Sequence, residues 1–180
     1  SLKSSLDRCH AGSAIVKRLK NVSDHRKNML IEKLTSVSKI HVRDDLGKEL
    51  VLSWEEVREM SRNGIGFGAH SATHPILTNV PLRRARWEIS QSKRDIEAVI
   101  GERINFFAYP DGSFNNEIVR MVEKSGFAGA VTIGHRWVSP KSDVYRLPRV
   151  GATEDYSAFR LLLSGLCGDL QKVMEWEEYV

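Results

Sequence analysis

The sequence predicts an α/β fold with a parallel sheet covered on both faces. Two observations carry this. Short, continuously apolar segments such as Phe127 to Ile133 show no polar alternation, and amphipathic helical stretches separate them. Strands buried on both faces read as unbroken apolar runs, and parallel neighbours need a crossover, usually a helix. The size and composition fit such a fold. With 180 residues, 41% hydrophobic and 28% charged, the chain can bury roughly 70% of its unfolded surface without disulfide or metal staples.

From Ala14 to about Val37 apolar residues (Ile15, Val16, Leu19, then Met29, Leu30, Leu34, Val37) recur at spacings of three and four, which predicts helix. Asn21 to Asp24 divides it, with Ser23 or Asp24 as N-cap. Lys39 to Glu49 is polar, contains Gly47 and reads as a loop. Ser53 and Glu56 form a capping box opening a helix whose buried stripe is Val57 and Met60 and which Arg62-Asn63-Gly64 closes. Ile65 to Ala69 reads as a short strand ending at His70. Pro81 to Ile100 is a long helix with Leu82, Ala85, Ile89, Ser92, Ile96 and Val99 on one face and Gly101 past its end. Ile104 to Ala108 is a strand, Asn115 or Asn116 caps a helix running to Ser125-Gly126, and Phe127 to Ile133 is a strand. Arg146 to Val150 and Tyr156 to Leu163 complete the core as strand and helix.

Charge and cysteines narrow the function class. The net charge is +4, but the basic runs at Lys17-Arg18-Lys20 and Arg83-Arg84-Arg86 lie among acidic residues, with no aromatic–basic alternation. They read as solvated faces, and no nucleic-acid partner is expected. No apolar run of 18 residues occurs, and the N-terminus lacks a signal-peptide pattern, so no membrane span is expected and the location is read as cytoplasmic. Cys9 and Cys167 read as unpaired thiols.

Two segments carry candidate chemistry. In His70-Ser71-Ala72-Thr73-His74-Pro75 two imidazoles lie four residues apart directly after a strand. One helical turn would point both rings the same way, and zinc favours such donors but needs a third protein ligand. Ser71 and Thr73 offer hydroxyls to orient the rings. In Tyr109-Pro110-Asp111-Gly112 a strand enters a tight turn, with Gly112 supplying positive φ. Such a turn can present backbone amides to a substrate oxygen.

These residues carry a resemblance. LSWEEVREMSRNGIGFGAHSATHP, a helix containing EISQSKRDIEAVIG, then FFAYPDG, GFAGAVT and RLPRVGA resemble, in order from about Val51 to Leu166, the polysaccharide deacetylase family with the NodB-homology domain. The resemblance implies a distorted (β/α) barrel. It also implies a divalent metal, zinc first with cobalt or nickel as alternatives, and hydrolysis of acyl groups from amino-sugar polysaccharides. By position, His70 and His74 match the family's metal-binding histidines and Ser71 the hydroxyl supporting them. Tyr109, Pro110, Asp111 and Gly112 match the substrate-groove wall, where the Asp111 amide would polarise the acyl carbonyl.

The sequence departs from the family pattern in three places. The family opens with a strand ending Thr-Phe-Asp-Asp, whose aspartates serve as general base and third metal ligand. Here the sole Asp-Asp pair, Asp44-Asp45, follows polar HVR and lies 25 residues before His70, which leaves no room for a strand–helix–strand unit, so it reads as loop. Ala108 stands where the family often has Arg. No clear late Leu-x-His supplies a general acid, and His135 and Arg149 are the candidate stand-ins. The expectation is a barrel incomplete at its N-terminus. Residues 1–50 form a helical insertion, and 51–180 the C-terminal part of a deacetylase domain with impaired activity and a homo-oligomer covering the missing strands. The alternative is an inactive carbohydrate-binding or regulatory module of the same fold.

Overall fold

The computed structural model describes residues 4–38, 47, 50–134, 137–149 and 151–164. They fall into two compact units that divide between Glu56 and Val57. Among the described residues no helix is long and apolar enough to cross a membrane.

The first unit holds α1 (Ser5–Lys20) and α2 (Asp24–Ser38). Helix α1 begins well before the predicted Ala14 because a cap, not apolar periodicity, sets its start. The Ser4 hydroxyl accepts from the Asp7 amide at 3.0 Å while the Asp7 carboxylate accepts from the Ser4 amide. The Ser23 hydroxyl accepts from the Arg26 amide at the start of α2, as its capping reading requires. The predicted apolar stripe is not a core face: neither helix buries a residue, and Met29, Leu34 and Val37 are exposed. Most of the predicted loop from Lys39, including Asp44-Asp45, lies outside the described residues. Gly47 within it is helical, its carbonyl accepting from the Val51 amide at 3.0 Å.

Helix α3 (Trp54–Arg62) opens with the predicted capping box. The Ser53 amide donates to the Glu56 carboxylate at 2.7 Å, and the Glu56 amide to the Ser53 hydroxyl at 3.2 Å. Gly64, at φ +86, lies just past its end.

The second unit is a mixed α/β fold around a three-stranded parallel sheet, β1 (Phe106–Ala108), β2 (Gly129–Ile133) and β3 (Leu147–Arg149), in that order. Phe107 registers with Ala130 and Val131 with Leu147. Helices α4 (Leu82–Ile100) and α5 (Asn116–Lys124) bury Ala85, Ile89, Ile118, Val119 and Val122 against Phe107, Tyr109 and Ala130. The Asn115 side chain caps α5, Asp155 caps α6 (Tyr156–Leu163), and Gly101 ends α4 in the left-handed region.

The described strands form an open three-stranded sheet. Three expectations are corrected. Cover on both faces fails at β1, where Phe107 is buried but its neighbour Phe106 is 55% exposed. The predicted strand from Ile65 shrinks to one parallel bridge, Ala69 to Phe107, held by Ala69 N–H to Phe106 O at 2.9 Å and Ala108 N–H to Ala69 O at 2.8 Å. Gly66 and Gly68 bring no side chains to pack, and Gly68 lies so near β1 that a Cβ there would stand 3.3 Å from the Phe106 carbonyl. On α4, Leu82 is exposed and the buried stripe instead includes Glu88.

Candidate active site

The bridge at Ala69 delivers His70 to the carboxyl end of β1, the edge at which sites of parallel α/β sheets form. His70 Nδ1 lies 2.7 Å from the Ala108 carbonyl oxygen. A carbonyl only accepts, so Nδ1 carries the proton and neutral His70 offers Nε2 as a lone pair. One hydrogen bond therefore joins the two motifs: the His70 ring is fixed by the residue preceding Tyr109-Pro110-Asp111-Gly112.

The two imidazoles meet, but not through the predicted helical turn. Ser71 and His74 adopt φ of +63° and +58°, folding the segment into an irregular loop. The His74 amide donates to the Ser71 hydroxyl at 3.1 Å. Ser71 thus shapes the loop backbone. The rings stand edge to face with centroids 4.7 Å apart, and their Nε2 atoms are separated by 3.0 Å. Asp111, at φ +57°, is the third non-glycine residue with positive φ among those described. All three lie in the two motifs, and backbone strain of this kind concentrates at functional sites.

Loss of solvent around its ring pushes the His70 pKa down. The hydrogen bond to Ala108 opposes that shift, while the electrostatic influence of His74 and Arg149 reinforces it. At neutral pH His70 is therefore uncharged, the form that binds metals.

The donor set fits part of a metal site. Two nitrogens 3.0 Å apart match ligands that share one zinc at about 2.0–2.1 Å each. Among the described residues no cluster of three His, Cys, Asp or Glu completes the set.

The side chains of Tyr109 and Pro110 are fully buried. Tyr109 packs on Phe107 and Phe114 and donates its hydroxyl to the Tyr145 carbonyl at 2.9 Å, and burial pushes its phenol pKa far up. These two residues anchor the turn, while Asp111 and Gly112 remain half-buried at its tip. The Thr132 hydroxyl donates to the Gly112 carbonyl at 2.6 Å, tying the tip to β2. Arg149 ends β3 with its Nε donating to the Thr132 carbonyl at 3.2 Å, near enough to act on His70 electrostatically. His135 lies outside the described residues.

Sequence reasoning missed Glu88. Its fully buried carboxylate accepts from the Ala72 amide at 2.9 Å, the Thr73 amide at 2.8 Å, the Thr73 hydroxyl at 2.6 Å and Arg84 Nε at 2.7 Å. The Thr73 hydroxyl thus turns toward Glu88, away from its predicted role beside a ring. Burial alone would raise the Glu88 pKa, but Thr73 and Arg84 together hold it below the usual carboxylate range. A signal existed: Glu88 lies three residues after Ala85 and four before Ser92, a charge on the apolar stripe.

The sequence pattern of the polysaccharide deacetylase family matches residues 20–130, more than half of the chain and inclusive of both motifs. The chain belongs to the polysaccharide deacetylase family. This deacetylase-family chain is 27% identical over 105 residues to YxkH of Bacillus subtilis (strain 168), named as a polysaccharide deacetylase, covering 58% of this chain and 38% of that protein. Its fold is similar to that of the Streptococcus pyogenes deacetylase PplD, solved in complex with acetate (TM-score 0.58, 22% identity, 62% of this chain and 50% of that one). It is also similar to the BpsB deacetylase domain of Bordetella bronchiseptica (TM-score 0.52, 18% identity, 62% and 52%). The chain thus spans half or less of the length of the first relatives it matches.

Proposed function

We propose that this chain carries part of the active site of a metal-dependent deacetylase that hydrolyses N-acetyl groups from amino-sugar polysaccharides. The observation that carries the reading is the His70–His74 pair, with Nε2 atoms 3.0 Å apart and one ring anchored on the residue before the Pro-Asp-Gly turn. His70 and His74 would hold the metal, zinc first with cobalt or nickel as alternatives. Bound there, it supplies an acidified water and a Lewis acid for the acyl carbonyl.

The chain's own residues do the rest. Ala108 orients His70 through Nδ1–H, the turn tip at Asp111 and Gly112 faces the acyl group, and Arg149 brings a fixed positive charge to the edge where oxyanion charge develops. Among the described residues no carboxylate joins the two histidines as a third ligand, and the sequence has no counterpart of the strand ending Thr-Phe-Asp-Asp that carries the family's base and third ligand. Positioned bases contribute roughly 10²- to 10⁴-fold, so the activity of the 180-residue chain is impaired. We further propose that the open sheet is part of the distorted (β/α) barrel of the family, a reading supported by the fold likeness to PplD.

Acetate release from N-acetylglucosamine oligomers, with added zinc or cobalt and with or without a chelator, tests this. The 180-residue chain should release little. Fusing a family strand ending in Thr-Phe-Asp-Asp should restore release, and His70→Ala or His74→Ala should abolish it. Robust release by the unfused chain that survives either substitution would overturn the site. A restored protein that is silent on every amino-sugar polymer tried, yet binds them, would favour the carbohydrate-binding module.

A further inference from the structure

We propose that Glu88 is a positioning residue that sets the geometry of the His70–His74 pair through the loop between them, an inference that rests on the metal-site reading. Every polar contact found for its buried carboxylate either goes to that loop or braces it. Oε2 accepts from the amides of Ala72 and Thr73, and Oε1 from the Thr73 hydroxyl and Arg84 Nε. Arg84 closes the ring by donating from Nη2 to the Thr73 hydroxyl at 2.9 Å, with its guanidinium stacked over Trp87. Ala72 and Thr73 are two of the three residues between the two histidines.

A buried carboxylate is costly, and a helix seeking only core burial at this position would be better served by an apolar side chain. The carboxylate does what an apolar side chain cannot. Ser71 and His74 hold positive φ on either side of Ala72 and Thr73. The preferred backbone of such residues would swing the rings apart unless something fixed the amides between them. Glu88 fixes two consecutive amides from the rigid face of α4. The histidines thereby have two supports: Ala108 holds the His70 ring, and Glu88 holds the backbone that carries His74 back to it. Partners beyond the ligands commonly orient metal-binding histidines in this way.

The test compares wild type with Glu88→Gln and with Thr73→Val, which removes only the hydroxyl. Long-range ¹H–¹⁵N spectra of the histidine rings in the metal-free protein report the tautomer of His70, and calorimetric titration with zinc reports affinity. Wild type should show His70 as the Nδ1–H tautomer that Ala108 fixes. In folded Glu88→Gln His70 should keep that tautomer, the His74 ring signals should shift as His74 leaves His70 Nε2, and zinc affinity should fall about 10- to 100-fold. Thr73→Val should move the His74 signals and the affinity in the same direction by less. Unchanged His74 ring signals, or zinc affinity kept within about twofold, in a folded variant would overturn the proposal. Should Glu88→Gln fail to fold, Thr73→Val decides by the same criteria. Should wild type bind no zinc, the metal reading falls while the ring spectra still decide the role of Glu88.

Discussion

Gly112 shows how a single residue fixes the candidate site. Its φ is +67°, and a Cβ there would stand 2.8 Å from Ile133 Cβ and 2.9 Å from the Ile133 amide nitrogen. Backbone strain and collision with β2 act together, so Gly112→Ala should destabilise the protein by about 1–3 kcal/mol. A urea-unfolding midpoint equal to that of wild type would contradict this placement. The glycine was legible in the sequence, because a Pro-Asp-Gly turn demands positive φ at a residue without Cβ. The positive φ of Ser71 and His74 was not. L-residues rarely adopt it, and only the surrounding contacts hold it, so helix geometry was the natural expectation for histidines four apart. The spacing led to two rings that do meet, through a local conformation other than the expected helical turn. Tyr109 shows a different limit: the turn motif marks the residue, but its packing on Phe107 and Phe114 depends on neighbours that the motif does not name.

At the scale of elements, α4 links the core to the site, and its acid–base behaviour follows from the Glu88 contacts. The folded-state pKa of Glu88 lies below its ordinary value of 4.5. On acidification the unfolded chain therefore takes up the proton first. The stability Glu88 contributes is complete above the unfolded pKa and is lost as pH falls through the lower folded value. The stability gap between wild type and Glu88→Gln should accordingly be wide at pH 7 and narrow steadily below about pH 4.5. Denaturant unfolding across that range measures it, and a gap that widens on acidification would show that the carboxylate is not the stabilising form.

The helices were the most legible elements, because caps and glycine stops are local: Ser53 with Glu56, Asn115 and Gly101 all act as their sequence suggests. Strands were less legible. The predicted strand from Ile65 shrinks to a bridge because pairing depends on distant neighbours and on backbone approach at Gly68. In the first unit apolar spacing marked helix correctly, but periodicity says nothing about whether the marked face finds a partner.

Across the molecule, the order of the motifs carried more information than either motif alone. His70-Ser71-x-x-His74 and Tyr109-Pro110-Asp111-Gly112 are separated by the whole of α4, yet parallel pairing of Ala69 with Phe107 places them end to end, and the family match spans both. What stayed illegible is long-range: burial of Glu88 against a loop 15 residues earlier and the approach of Arg149 to His70. The central claim is that His70 and His74 act together as two ligands of one metal ion, and calorimetric titration of zinc into wild type, His70→Ala and His74→Ala tests it most directly. The account predicts one zinc per wild-type chain, bound more weakly than by a complete Asp-His-His set, with affinity lost at least tenfold in each variant. Equal affinity in all three proteins would contradict it.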